Sequence, residues 1–175
     1  MTTPPPDPPL APDELVSTGT EREVLEAFLD FHRGVLVRKV SGLSEQDARR
    51  RLVPSMTTLA GPVKHMTGVE RGWIQRCLAQ RPVDAIGDNV GGGPDSWELA
   101  ADDTVEALIT GYERTCAESR RTTARFALDD AVANRRLGRV SLRWIYVHLI
   151  EETARHVGHA DILREQIDGA TGVDG

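Results

Sequence analysis

Apolar positions recur at helical spacing through most of the chain. Val24, Leu25, Phe28, Leu29, Val35 and Leu36 predict a first helix over about 21–40. Gly42 and Ser44 break it, and Ser44 caps a short helical piece with Asp47 as a weak capping box. Leu59, Val63, Met66, Trp73 and Cys77 form a second stripe over about 58–79, with Trp73 and Cys77 read as core residues. Pro62 is tolerated only in a first turn, so this helix starts near Leu59. Residues 81–103 read as a long loop centred on Gly91-Gly92-Gly93-Pro94. That glycine run lacks the Lys and Ser/Thr of a phosphate-binding loop and follows no strand, so it reads as a flexible link. Asp103 or Thr104 caps a third helix reaching about Ala127, with Val105, Leu108, Ile109, Tyr112, Cys116, Ser119 and Phe126 on its inner side. Residues 128–140 read as a connection around Gly138. Ser141 then caps a fourth helix that runs to about Asp168, where Gly169 provides a stop.

No stretch alternates with period two, and no Asn-Gly turn joins two apolar runs, so no sheet is expected. Four long amphipathic helices of similar length predict an all-α four-helix bundle over 15–170. Before it lies a tail, 1–14, that holds six of the ten prolines and reads as disordered; a short tail, 171–175, follows.

Composition narrows the picture. With 175 residues, 39% hydrophobic and 27% charged, the chain fits one globular domain. A net charge of -6 argues against nucleic acid, which needs a basic face. No apolar run approaches the roughly 20 residues of a membrane span, and the N-terminus lacks a secretory leader pattern, so a cytoplasmic location is expected. Cys77 and Cys116 read as buried core thiols rather than a disulfide.

The fourth helix carries the candidate chemistry. Its seam is Leu142, Ile145, Leu149, Glu152, His156, Ala160, Leu163 and Ile167, and two of these are polar. An unpaired carboxylate on such a stripe would be destabilising, so a partner is required. Arg143 or Arg155 could supply it; so could a metal ion. Glu152 and His156, four apart, share one helical face and can meet one atom. A third ligand would come from another helix. His148 and His159 lie on the fourth helix, to one side of the seam, and His32 is turned away from Leu25, Leu29 and Leu36. His65, on the second helix, sits at the edge of its apolar arc, so spacing alone leaves its direction open. No His-Glu-x-x-His occurs, nor Glu-x-x-His on two helices, which removes zincin proteases and ferritin-type di-iron centres.

The run from His148 to Arg164, His-Leu-Ile-Glu-Glu-Thr-Ala-Arg-His-Val-Gly-His-Ala-Asp-Ile-Leu-Arg, resembles the last helix of the DinB-like superfamily, in particular its DUF664 branch. Thr58 to His65, followed by Val69, Glu70 and Trp73, is similar to that family's second helix. The resemblance implies an up-down-down-up bundle with a long crossover, for which 81–103 is the natural segment. It implies a metal site of His65, Glu152 and His156. Glu152 stands where many members have histidine, but the related mycothiol-dependent maleylpyruvate isomerases use a His-Glu-His set. Zinc or nickel is the implied divalent ion. The implied function is a metal-dependent transferase or isomerase using a low-molecular-weight thiol such as mycothiol on a small electrophile. His148 or His159 would then orient ligands or move protons, and a homodimer is a family expectation. The alternative is a non-catalytic, metal-binding stress-response bundle; a plain bundle with Glu152 paired to arginine is a third.

Overall fold

The computed structural model describes residues 9–173; most of the expected proline-rich tail and the last two residues of the chain lie outside them. The regular structure of the described residues is helical apart from one small sheet. Helix α1 spans Glu21–Val40, capped by Thr20, whose backbone N–H meets Glu23 Oε2 at 2.7 Å while its hydroxyl accepts from the Glu23 N–H. Helix α2 is the one-turn piece Glu45–Ala48, capped by Ser44 as expected. Helix α3 spans Ala60–Glu70 and continues without a break as a π-helical stretch, Arg71–Leu78. Helix α4 spans Val105–Thr123, with Thr104 rather than Asp103 as cap, and ends four residues before the expected Ala127. Helix α5 spans Leu142–Asp168 and stops at Gly169, whose φ of +79° is the left-handed conformation glycine adopts freely.

The connection expected over 128–140 instead holds an antiparallel hairpin. Strands β1 (Ala131–Asn134) and β2 (Gly138–Ser141) pair with Ala131 opposite Ser141 and Asn134 opposite Gly138. Four-residue strands are too short to display alternation, which is why the pattern does not announce them. Asn134 builds the turn, its Oδ1 accepting from the N–H groups of Arg136 and Leu137 at 3.0 Å.

Helix α1 packs chiefly along α5, and α3 along α4. Leu29, Leu36, Leu59, Met66, Ile74, Leu142, Ile145 and Leu149 fill the space between them with essentially no exposure. Phe28, expected on the inner stripe of α1, is instead 40% exposed. A buried ion pair crosses the core: Arg33 Nε on α1 meets Glu70 Oε1 on α3 at 2.8 Å.

The glycine-rich loop is not a flexible link. It lies along α3, where the Gly91 N–H donates to the Gly68 carbonyl at 2.8 Å and the Asn89 side chain donates to the Lys64 carbonyl at 2.8 Å. A Cβ on Gly68 would sit 2.6 Å from Asn89 Oδ1 and 2.9 Å from the Gly91 carbonyl oxygen. One on Gly92 would sit 2.8 Å from His65 Cε1. Loop and helix approach this closely only because these positions carry no side chain.

Candidate metal centre

Ser141 starts α5 by accepting from the Trp144 N–H at 3.2 Å, which fixes the register of everything downstream. Leu142, Ile145, Leu149, Ala160 and Leu163 are buried as the seam requires. At its middle the pattern shifts by one residue. Thr153 takes the fully buried place and donates its hydroxyl to the Leu149 carbonyl at 2.6 Å. Glu152 sits at the edge of the seam, its side chain 20% exposed. It is therefore no stranded core carboxylate; it faces an opening.

That opening is a cavity of about 560 Å³ whose wall includes His65, Trp73, Gly92, His148 and Glu152. His65 comes from α3, Glu152 and His156 from α5, and one donor atom from each of the three lies within 4.8 Å of the others. His156 Nε2 is 3.2 Å from Glu152 Oε2. Two ligands about 2.1 Å from a tetrahedral ion stand roughly 3.4 Å apart, so this pair already has the needed spacing. Neither arginine weighed as a rival partner clasps Glu152. Arg143 binds Glu21 and Asp129. Arg155 is bound to Glu151 and comes only to 3.6 Å of Glu152 Oε1.

The loop supplies what the sequence pattern does not reveal. The Ser96 hydroxyl donates to the Gly93 carbonyl, so its oxygen is left to accept, and His65 Nδ1 lies 2.8 Å from it. That network assigns the proton of His65 to Nδ1 and leaves the Nε2 lone pair free to ligate. Trp97 stacks on His65 with centroids 4.3 Å apart and meets His156 at 5.0 Å. Both imidazoles are held neutral, the form a metal requires. Burial, reinforced by neighbouring His156, pushes His65 down to about 4 despite the opposing pull of Glu152. Burial likewise lowers His156, against the same carboxylate. The Nδ1 of His156 is buried without a hydrogen-bond partner. Ser96 and Trp97 carried no signal beyond proximity to a glycine run.

The remaining candidates separate. His148 is half-buried, lines the cavity one turn before Glu152, stacks on Trp144 at 5.1 Å and meets Trp73 edge-on at 4.9 Å. His159 is exposed, with its ring 5.6 Å from that of His156. His32 makes an edge contact with Phe31 in α1 and takes no part in the cluster. Trp73 and Cys77, read as core residues, are half-buried cavity residues; Asn134 Nδ2 donates to Cys77 Sγ at 3.4 Å. Cys116 is buried as expected.

Fold and site together define a helical protein that gathers two neutral imidazoles and a carboxylate beside an aromatic-walled cavity. The chain belongs to the mycothiol-S-transferase family, whose model matches residues 24–169, and through it to the DinB-like superfamily indicated by the helix motifs. No curated protein matches it. No helix among the described residues is long and apolar enough to cross a membrane.

Proposed function

We propose that the chain is a metal-dependent S-transferase that joins a low-molecular-weight thiol, mycothiol by family, to a small electrophile. The observation that carries this reading is the convergence of His65, Glu152 and His156 at the wall of a cavity large enough for a small molecule. The donor set fits a divalent ion: two neutral imidazoles, one oriented by Ser96, and one carboxylate, with no cationic side chain set against them closer than Arg155 at 3.6 Å. Zinc or nickel suits two nitrogens and one oxygen. Bound there, the ion would supply Lewis acidity that lowers the pKa of a thiol in contact with it.

The chain's own residues do the rest. Glu152 offsets positive charge at the site and keeps an oxygen toward His156. Trp97 covers one face of His65 and limits water at the imidazoles. Trp73 and Trp144 shape the opposite wall around His148, which stands where it can hold a proton released on the cavity side. The same reading takes the four long helices, within a domain over 15–170, as an up-down-down-up four-helix bundle, with the segment from α3 to α4 as its crossover. It also places the protein in the cytoplasm and allows a homodimer.

Elemental analysis of the purified chain tests the metal: about one zinc or nickel per chain is expected, and its loss in His65→Ala and His156→Ala. Conjugation of a small electrophile is then followed with mycothiol and with no thiol. A metal-loaded chain that binds no thiol and accelerates no conjugation would leave only the non-catalytic metal-binding reading.

A further inference from the structure

The cavity beside the triad does not end at Trp73. It continues past Gly92 into a second space of about 450 Å³, and Val69, Trp73, Gly92, Asn134 and Arg136 belong to the walls of both. Three arginines border this outer arm. Arg76 comes from the π-helical stretch, and Arg135 and Arg136 come from the hairpin turn. All three are exposed, and among the described residues none of their guanidinium groups enters an ion pair or a side-chain hydrogen bond.

Their neighbours behave differently. Arg139, on the same hairpin, donates to the Ala131 carbonyl at 2.8 Å. Arg81, just beyond the π-helical stretch, donates to Gln75 Oε1 at 3.0 Å. Arg143, at the start of α5, is 2.6 Å from Glu21. Among the described residues no carboxylate lines the outer arm, and Glu152 is the sole acid in the wall of the inner one. A chain of net charge -6 has thus collected three unneutralised cations around one concave surface. Like charges on one rim repel each other and focus a positive potential into the space between them. Planar guanidinium groups are matched to the oxygens of a carboxylate, sulfonate or phosphate.

We propose that the outer arm binds an anionic group on the small molecule whose reacting end lies at the triad. Arg76, Arg135 and Arg136 select for that charge, and Arg136, shared by both spaces, sets its distance from the site. That the molecule's reacting end lies at the triad rests on the transferase reading; the anion affinity of the arm does not.

Isothermal titration of the full chain compares adipate, a flexible dianion, with adipamide, its neutral isostere. Adipate binds, adipamide binds at least about tenfold more weakly, and added salt weakens adipate. The chain with Arg76→Gln, Arg135→Gln and Arg136→Gln keeps its helical circular dichroism and loses about tenfold in adipate affinity. His65→Ala retains adipate binding, which separates the arm from the metal site. Equal binding of the two probes, no adipate binding, affinity unchanged in the triple variant, or adipate binding lost in His65→Ala each overturns the proposal. Repeating the titration in the presence of mycothiol, which has no carboxylate, sulfonate or phosphate, leaves adipate binding in place, as expected if the anionic group belongs to the electrophile; mutual displacement overturns that placement.

Discussion

At the scale of single residues the site depends on one proton. His65 offers a ligand lone pair only if its hydrogen sits on Nδ1, and the Ser96 oxygen holds it there because the Ser96 hydrogen is already given to Gly93. Ser96→Ala removes that acceptor from a buried imidazole without touching a ligand atom. Metal affinity is expected to fall by about 10–100-fold, the usual cost of losing a partner behind a ligand, while the fold persists. A competition titration against a chelator reads this directly; an unchanged affinity would show that Ser96 does not orient His65. Glu152 and His156 were reachable as ligand candidates from the helical period, but His65 only from the family motif, because spacing left its direction open. Ser96 was not reachable, because it acts across 31 residues through a loop whose path no period encodes. Glu152 shows the opposite limit. Counting by threes and fours places it in the core, but α5 rotates enough that Thr153 is buried in its stead and Glu152 meets the cavity.

At the scale of elements, what was legible followed from caps. Ser44, Ser141 and Gly169 mark helix ends because each satisfies or redirects backbone groups locally, and the corresponding boundaries agree with the sequence reading. The hairpin was invisible because its strands are only four residues long, and the docking of the glycine loop because it is decided by tertiary contact. The loop matters most, since it delivers Ser96 and Trp97 to His65. Gly68→Ala places a methyl group 2.6 Å from Asn89 Oδ1 and 2.9 Å from the Gly91 carbonyl oxygen, so the loop must lift. Helix α3 itself would tolerate alanine, which is a better helix former than glycine by about 1 kcal/mol. The expected result is therefore selective: retained helicity, faster proteolysis within residues 87–97, and weaker metal binding. Weaker binding without faster proteolysis would place the defect elsewhere.

At the scale of the whole molecule, several polar contacts link the helices, and two groups of polar residues respond to different perturbations. The first is the core pair of Arg33 and Glu70, extended at the surface by Asp30, which accepts from Arg33 at 2.8 Å and from Arg120 of α4. Glu70→Gln leaves a buried guanidinium short of its charge and should cost about 3 kcal/mol in a denaturant titration. Asp30 sets a pH response. Burial alone would raise its pKa, but the hydrogen bonds from Arg120 and Arg33 outweigh that and hold it below the ordinary carboxylate range. A depressed acid stabilises the fold above its unfolded pKa, near 3.9, and that contribution disappears as pH falls through the lower folded value. Asp30→Asn should thus be less stable than the parent at pH 7, and the gap should close as the pH falls through the depressed folded value; a stability gap that stays constant with pH would rule this out.

The second connection is the triad, and it is conditional on an ion. Helix α3 contributes His65 and α5 contributes Glu152 and His156, and these helices touch each other far less than α5 touches α1. An ion held by all three would join two sparsely connected long helices, and only in the native state, because 87 residues or more of sequence separate His65 from Glu152 and His156 in the unfolded chain. Ligand linkage then gives about 2.7 kcal/mol at a free-metal concentration 100 times the dissociation constant. For a domain of this size that corresponds to roughly 5–10 °C in melting temperature. Chelation should lower the Tm of the purified chain by this amount, and re-addition of zinc or nickel should restore it. His156→Ala should melt at one temperature regardless of metal, because its remaining donors, His65 and Glu152, lie on separate helices and no longer close a three-ligand site. A metal-dependent Tm that survives in His156→Ala would move the ion away from the triad, and the transferase reading would lose its chemical centre.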